Sequence, residues 1–330
     1  MRQSTSPVLE PHTQAFITAL TAQGGEPLYR LSYPAARTIL EDLQAATGAK
    51  VPADVEEKVF PVGPTGEVPV RIYRPQGARG RLPVVMYFHG GGWVLGSKHT
   101  HDRLLRDLTT ATHAAFVFVS YTPAPEAQFP VTIEQAYAAT AYVAAHGKEL
   151  NLDSTRLALA GDSAGGNMTA AVTLLAKERK APEIRYQVLF YPVTDTNFDT
   201  ASYLEFANGP WNTRPAMVWL WDAYAPNASD RKQVTASPLQ ATTEQLVGLP
   251  PALIIAVEND VLRDEGEAYA RKLIAAGVEV TVLRALATVH DFVMLNPLAA
   301  TPAARTAIRL AAQKLSDTLS SAAERPVAAL

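Results

Sequence analysis

From about Val55 onward the chain alternates short, continuously apolar runs with longer stretches of helical character. Val55–Val62 and Val68–Tyr73 flank Gly63-Pro64-Thr65-Gly66, a Gly- and Pro-rich turn that predicts a hairpin. Leu82–Phe88, Ala115–Tyr121, Leu157–Ala160, Tyr186–Tyr191, Ala252–Val257 and Glu279–Leu283 predict buried strands. Their unbroken apolar character fits a sheet covered on both faces rather than one with a face in water. Helices are predicted over His101–Ala111, Val131–Ala145, Ser163–Lys180, Glu265–Ala276 and Ala303–Leu315. Thr100 is the expected N-cap of the first, with Asp102 in its first turn. Strand and helix in regular succession imply right-handed crossovers and a mostly parallel sheet, with the antiparallel hairpin at its leading edge.

Two stretches break this rhythm. Residues 1–54 read as helices with no strand, and residues 196–240 carry Trp211, Trp219 and Trp221, three of the four tryptophans. In Pro215–Ala225, Met217, Trp221 and Tyr224 fall on one helical face. Core packing accounts for that stripe as readily as a roof over a substrate pocket does. Neither stretch is large enough to fold alone, so both are expected to share one cap over a catalytic domain of residues 55–195 and 241–330.

Composition narrows the classes. The chain has 330 residues, 48% of them hydrophobic and only 18% charged, which excludes a disordered tail protein or a coiled coil. A net charge of -3, with acids and bases mixed, leaves no electrostatic footprint for nucleic acid or an anionic membrane. The absence of cysteine excludes a disulfide scaffold, a thiolate metal site and a cysteine nucleophile together. Met1–Gln14 lacks the apolar core of a signal peptide, and no stretch approaches the roughly 20 apolar residues that span a bilayer. A soluble cytoplasmic protein is expected, with no membrane or nucleic-acid partner; a homodimer stays open.

The chemistry concentrates in four places. Leu157–Ala160 runs into Gly161-Asp162-Ser163-Ala164-Gly165-Gly166, a Gly-x-Ser-x-Gly pattern between a strand and a helix. So tight a turn needs neighbours that nearly lack side chains, and it sets the Ser163 hydroxyl at a helix N-terminus that favours developing negative charge. His89-Gly90-Gly91-Gly92-Trp93 follows the strand Leu82–Phe88. Bare backbone there lets N–H groups approach a reacting oxygen, and each such preorganised donor is worth about 3–4 kcal/mol in acyl transfer. Gly91 and Gly92 are the expected oxyanion donors, joined by Ala164, with His89 and Gly90 holding the loop. A serine nucleophile needs a base and the base an orienting acid, which follow it in the order acid, then base. Asp260 leads as the acid, ahead of Glu258 and Asp264, because it leaves the C-terminal end of a strand. His290 is the only histidine after position 146 and is the expected base. His99 and His101 near a helix start are too few ligands for zinc, so no metal is expected, and no phosphate- or dinucleotide-binding glycine loop occurs.

Together these segments resemble the hormone-sensitive lipase family of bacterial esterases, in the branch carrying Gly-Asp-Ser-Ala-Gly. The resemblance covers His89–Trp93, Tyr121–Glu126 with Phe129-Pro130, Gly161–Gly166, Asp260–Gly266 and His290, or roughly residues 55 to 295. It implies an α/β-hydrolase fold with a helical cap formed by residues 1–54 and 196–240, and a cofactor-free carboxylesterase acting on short- to medium-chain esters. Three positions depart from the family pattern. Asp291 stands where glycine usually follows the catalytic histidine, Tyr121-Thr-Pro-Ala-Pro-Glu126 varies Tyr-Arg-Leu-Ala-Pro-Glu, and Val261 replaces a common proline. Asp291 could change the charge beside the imidazole or compete as its orienting acid. Trp93, Phe206, Trp211 and Trp221 are the candidate pocket residues. Amide or lactone hydrolysis on the same triad is the nearest rival activity. A non-catalytic receptor on this fold is disfavoured because Ser163, Asp260 and His290 are all present.

Overall fold

The computed structural model describes residues 7–45 and 50–320. Of the expected domains, residues 1–6, 46–49 and 321–330 lie outside the described residues. The strands are β1 (Ala53–Phe60), β2 (Val68–Pro75), β3 (Leu82–Phe88), β4 (Ala115–Val119), β5 (Leu152–Asp162), β6 (Tyr186–Phe190), β7 (Ala252–Asn259) and β8 (Val280–Val289). They form one sheet in the order β1-β2-β4-β3-β5-β6-β7-β8. The hairpin β1–β2 joins through the antiparallel β2–β4 pair, and every pair from β4 to β8 is parallel. The expected hairpin thus sits at the leading edge of a mostly parallel sheet.

The crossover helices are α3 (Asp102–Thr112), α4 (Val131–His146), α5 (Ala164–Arg179) and α10 (Arg263–Ala275), and α11 (Pro302–Leu319) follows the last strand. Outside this frame stand α1 (Pro11–Gln23), α2 (Tyr33–Ala45), α6 (Ala201–Glu205), α7 (Arg214–Tyr224), α8 (Ala228–Arg231) and α9 (Thr243–Leu246). Strands β4 and β6 are buried along their whole length, as their apolar runs require. The expectation of burial fails for β8. It is the last strand of the sheet, and Val282, Leu283 and Leu286 on it are exposed. Thr100 also does not cap α3. Its hydroxyl closes a turn with Ser97 and meets His101 Nδ1, and His101 occupies the N-cap position.

The two stretches without strands meet each other. Phe16 of α1 packs on Trp211, and Tyr33 of α2 stacks on Trp219 of α7 with ring centroids 4.9 Å apart. The start of the described chain is sewn to the far end of the sheet: Glu10 N–H donates to the Ala287 carbonyl, and Asn259 Nδ2 donates to the Val8 carbonyl at 3.1 Å. No helix among the described residues is long and apolar enough to cross a membrane.

Candidate active site

Three parallel strands end together and deliver the reactive groups. β5 stops at Asp162, and α5 starts at Ala164, so Ser163 alone makes the turn. Its φ of 54° and ψ of -117° lie in a region that side chains avoid. Backbone bonds hold it there: Ser163 N–H donates to the Phe190 carbonyl at 2.9 Å, and its carbonyl accepts from Val193 and Asn167. The close turn dictates the flanking glycine, since a Cβ on Gly165 would collide with the Phe88 carbonyl.

His290 follows β8. Its Nε2 is 2.9 Å from Ser163 Oγ, and its Nδ1 is 2.6 Å from Asp260 Oδ2. The spare Asp260 oxygen, Oδ1, accepts from Leu262 N–H. All three residues are buried. Burial works against a charge on the imidazole, but Asp260 and Asp291 outweigh it and hold the His290 pKa above its ordinary value. The other two acids are engaged elsewhere. Glu258 accepts from Ala287 N–H, and Asp264 accepts from Ser202 N–H and Arg263.

Gly91 and Gly92 face Ser163 across the same cavity. Gly91 has a φ of 99°, and a Cβ there would strike the Leu95 carbonyl, so no other residue fits this turn. Gly90 N–H is occupied by Asp162 Oδ1 at 3.1 Å. Asp162 is a pivot that the sequence did not reveal. It is buried beside Ser163, accepts from Tyr87 OH at 2.7 Å, and has its other oxygen 3.3 Å from His101 Nε2. Burial opposes its ionisation, but the surrounding donors more than compensate and its pKa is lowered. His101 is therefore a buried partner of Asp162, while His99 is exposed. His89 lies under the glycine loop, stacked on Tyr121, with Nδ1 2.8 Å from the Gly90 carbonyl. Burial and the neighbouring His101 push its pKa down to about 3, so it stays neutral.

A cavity of about 910 Å³ opens above Ser163. Of the expected pocket residues, only Trp211 lines it. Trp93 has a φ of 60°, which turns its side chain away to stack on Tyr224 and pack on Trp221, and both tryptophans are fully buried. Phe206 is buried beneath the Arg263 guanidinium. The regular stripe on α7 is thus mainly core, with Met217 alone of its three residues reaching the cavity. The lining comes instead from Trp219 and Leu220 beside that stripe, and from Phe16, Leu20, Leu28 and Leu43 of the N-terminal stretch. The spacing of Leu40 and Leu43 in α2 was the available signal, but without a partner surface it pointed nowhere.

Asp291 also lines the cavity. Its Oδ2 accepts from Trp211 Nε1 at 2.9 Å, while Oδ1 has no hydrogen-bond partner and lies 3.5 Å from His290 Nε2. It therefore faces the serine side of the imidazole, opposite the nitrogen that Asp260 engages. Burial raises its pKa, partly offset by His290 and the Trp211 N–H.

A family model described as the alpha/beta hydrolase fold matches residues 85–294. The chain belongs to this family. Its hormone-sensitive-lipase-type branch is supported by carboxylesterase NlhH of Mycobacterium tuberculosis, 35% identical over 315 residues that cover 95% of this chain and 96% of that protein. The carboxylic ester hydrolase LipN of the same species is 38% identical over 269 residues, covering 80% of this chain and 70% of that one. A thermostable esterase from Pseudomonas putida superposes with a TM-score of 0.94 at 50% identity, covering 96% of this chain and 99% of that one. This hydrolase is a serine carboxylic ester hydrolase.

Proposed function

We propose that the hydrolase cleaves short- to medium-chain acyl esters with Ser163 as nucleophile, His290 as general base and acid, and Asp260 as the orienting acid. The observation that carries this reading is the unbroken chain of contacts from Asp260 Oδ2 through His290 to Ser163 Oγ, at 2.6 and 2.9 Å. His290 Nε2 takes the Ser163 proton as Oγ bonds to the ester carbonyl carbon, and the carbonyl electron pair moves to oxygen. Gly91, Gly92 and Ala164 N–H groups hold that oxyanion. The C–O bond to the alcohol then breaks, and His290 returns the proton to the leaving oxygen. Water repeats the sequence on the acyl-enzyme, giving the acid and free Ser163. Asp260 keeps the proton on Nδ1 and stabilises the imidazolium at each turn. No cofactor enters any step.

In this proposal residues 1–54 and 196–240 form a single cap on a catalytic domain of residues 55–195 and 241–330. The ring contacts Phe16–Trp211 and Tyr33–Trp219 support it. The cavity volume of about 910 Å³ lies within the roughly 300–1,000 Å³ of sites that enclose a small ligand, which suits acyl chains of modest length. Rates over p-nitrophenyl esters of increasing chain length test the size limit, and a maximum beyond medium chains refutes it. Ser163→Ala should lower kcat about a million-fold with the thermal transition retained, and unchanged hydrolysis would refute the assignment.

A further inference from the structure

Helix α2 is amphipathic in an unusual sense. Ile39, Leu40 and Leu43 line the cavity, while Arg37, Glu41 and Gln44, spaced i, i+4 and i+7, share a second face made of polar ties. Arg37 Nε donates to the Val94 carbonyl at 2.8 Å and Nη2 to the Ala124 carbonyl at 2.9 Å, and the guanidinium forks onto Glu126 at 2.7 Å. Val94 belongs to the turn whose amides fold back on the Gly91 carbonyl, and Ala124 N–H bonds the Trp93 carbonyl. Arg37 therefore grips both strands of backbone behind the glycine loop.

Gln44, two turns further on, is buried and grips the other loop. Its Nε2 donates to the Thr100 carbonyl at 2.7 Å and the Met294 carbonyl at 2.9 Å, and its Oε1 accepts from Asn296 N–H at 2.8 Å. Met294 and Leu295 close the turn that begins at Asp291, the residue after His290. Between the two, Glu41 accepts from Ser97 Oγ at the end of the glycine loop. One rigid helix face thus touches the backbone behind the oxyanion donors and the backbone behind the base. Seven helical residues span about 10.5 Å.

We infer that Arg37 and Gln44 are positioning residues for ester hydrolysis, using α2 as a spacer that fixes the glycine loop relative to the His290 loop. The inference rests on the proposed triad and oxyanion loop. A displacement of about 1 Å between reacting groups can cost a hundred-fold in rate, so a spacer acting at both loops should be felt in kcat rather than in KM. Lysine at position 37 can keep the ion pair with Glu126 but cannot also serve two carbonyls in a fixed fork.

The test compares Arg37→Lys, Gln44→Leu and Glu126→Gln with the wild-type protein. Active sites are counted by phosphonate labelling of Ser163, turnover is measured on p-nitrophenyl butyrate, and affinity is measured for an aryl trifluoromethyl ketone that forms an oxyanion adduct. Thermal midpoints are recorded alongside. Arg37→Lys and Gln44→Leu should lower kcat per labelled site by about 10- to 100-fold with KM little changed. Arg37→Lys should weaken the ketone in proportion. Glu126→Gln should keep turnover while lowering the thermal midpoint, because it removes a charge and leaves the carbonyl contacts. If Arg37→Lys and Gln44→Leu are labelled and turn over as the wild type does, whatever their thermal midpoints, the inference is overturned on its own. A wild type that phosphonate leaves unlabelled overturns it together with the nucleophile assignment.

Discussion

The floor of the cavity and the α1 side of its roof are built on opposite principles. On the floor, Ser163, Asp260, His290 and Asp162 are buried, and each is fixed by named hydrogen bonds to backbone or side chains. On the roof, α1 buries only Thr13 among its described residues, and its cavity-facing side chains Phe16 and Leu20 are held by apolar contact. Polar networks specify one geometry because every unmet partner is costly, whereas apolar contacts tolerate repacking. The floor is accordingly suited to one reaction, and the roof to variation in what enters.

The sharpest way to break this division is at the floor. Asp260→Asn should preserve the fold but leave His290 in the wrong tautomer, and kcat should fall about 10⁴-fold in steady-state assays. A loss that small residues on the roof could match would dissolve the distinction. On the roof, Leu43→Trp should narrow the cavity without touching the triad. The expected outcome is an unchanged rate on acetate esters and a loss of about tenfold or more in kcat/KM for each methylene excluded on the longer ones.

Asp291 lies where floor and roof join, so its replacement tests whether the roof speaks to the chemistry. Its negative charge helps hold the His290 pKa above the ordinary value. In the proposed mechanism His290 works when neutral, so activity should rise with pH through that elevated value. Asp291→Asn removes a charge that favours the imidazolium, and the rising limb of kcat/KM against pH should move to lower pH. Folding stability runs the opposite way in the same window. The charged imidazole stabilises the native state fully below its unfolded pKa, and this contribution is lost as pH rises through the higher folded value. Denaturant titrations across that range check it. The smallest effect should come from Glu258→Gln, because the amide oxygen can still accept from Ala287 N–H and the residue does not touch His290. Turnover there should stay close to the wild type, and a large drop would reopen the identity of the orienting acid.

Sequence reading reached the floor far better than the roof. Gly-x-Ser-x-Gly, the triple glycine and a single late histidine are local constraints, each imposed by a turn or an approach that few residues can satisfy. Strand order along the parallel sheet then carries them to one edge. The roof is held by contacts between stretches far apart in the chain, such as Tyr33 with Trp219, and no local rule announces them. Aromatic residues therefore misled. Trp93 adjoins the glycine loop in sequence, but a positive φ turns it into the core, where it packs on Trp221. Asp162 escaped notice because the x of Gly-x-Ser-x-Gly carries no general requirement. Edge exposure of β8 was invisible because a run of apolar residues does not say how many neighbours the strand will have.

The stitch between Val8 and Asn259 joins residues 251 positions apart, and Ser163 precedes His290 by 127. During synthesis at about 5–20 residues per second, the Ser163 turn is thus made on the order of ten seconds before His290. Helix α1 must wait longer still for the strand ends that will anchor it. Until then the chain carries Ser163 without its proposed base. Under the proposed mechanism, hydrolytic competence arrives only once His290 has been made.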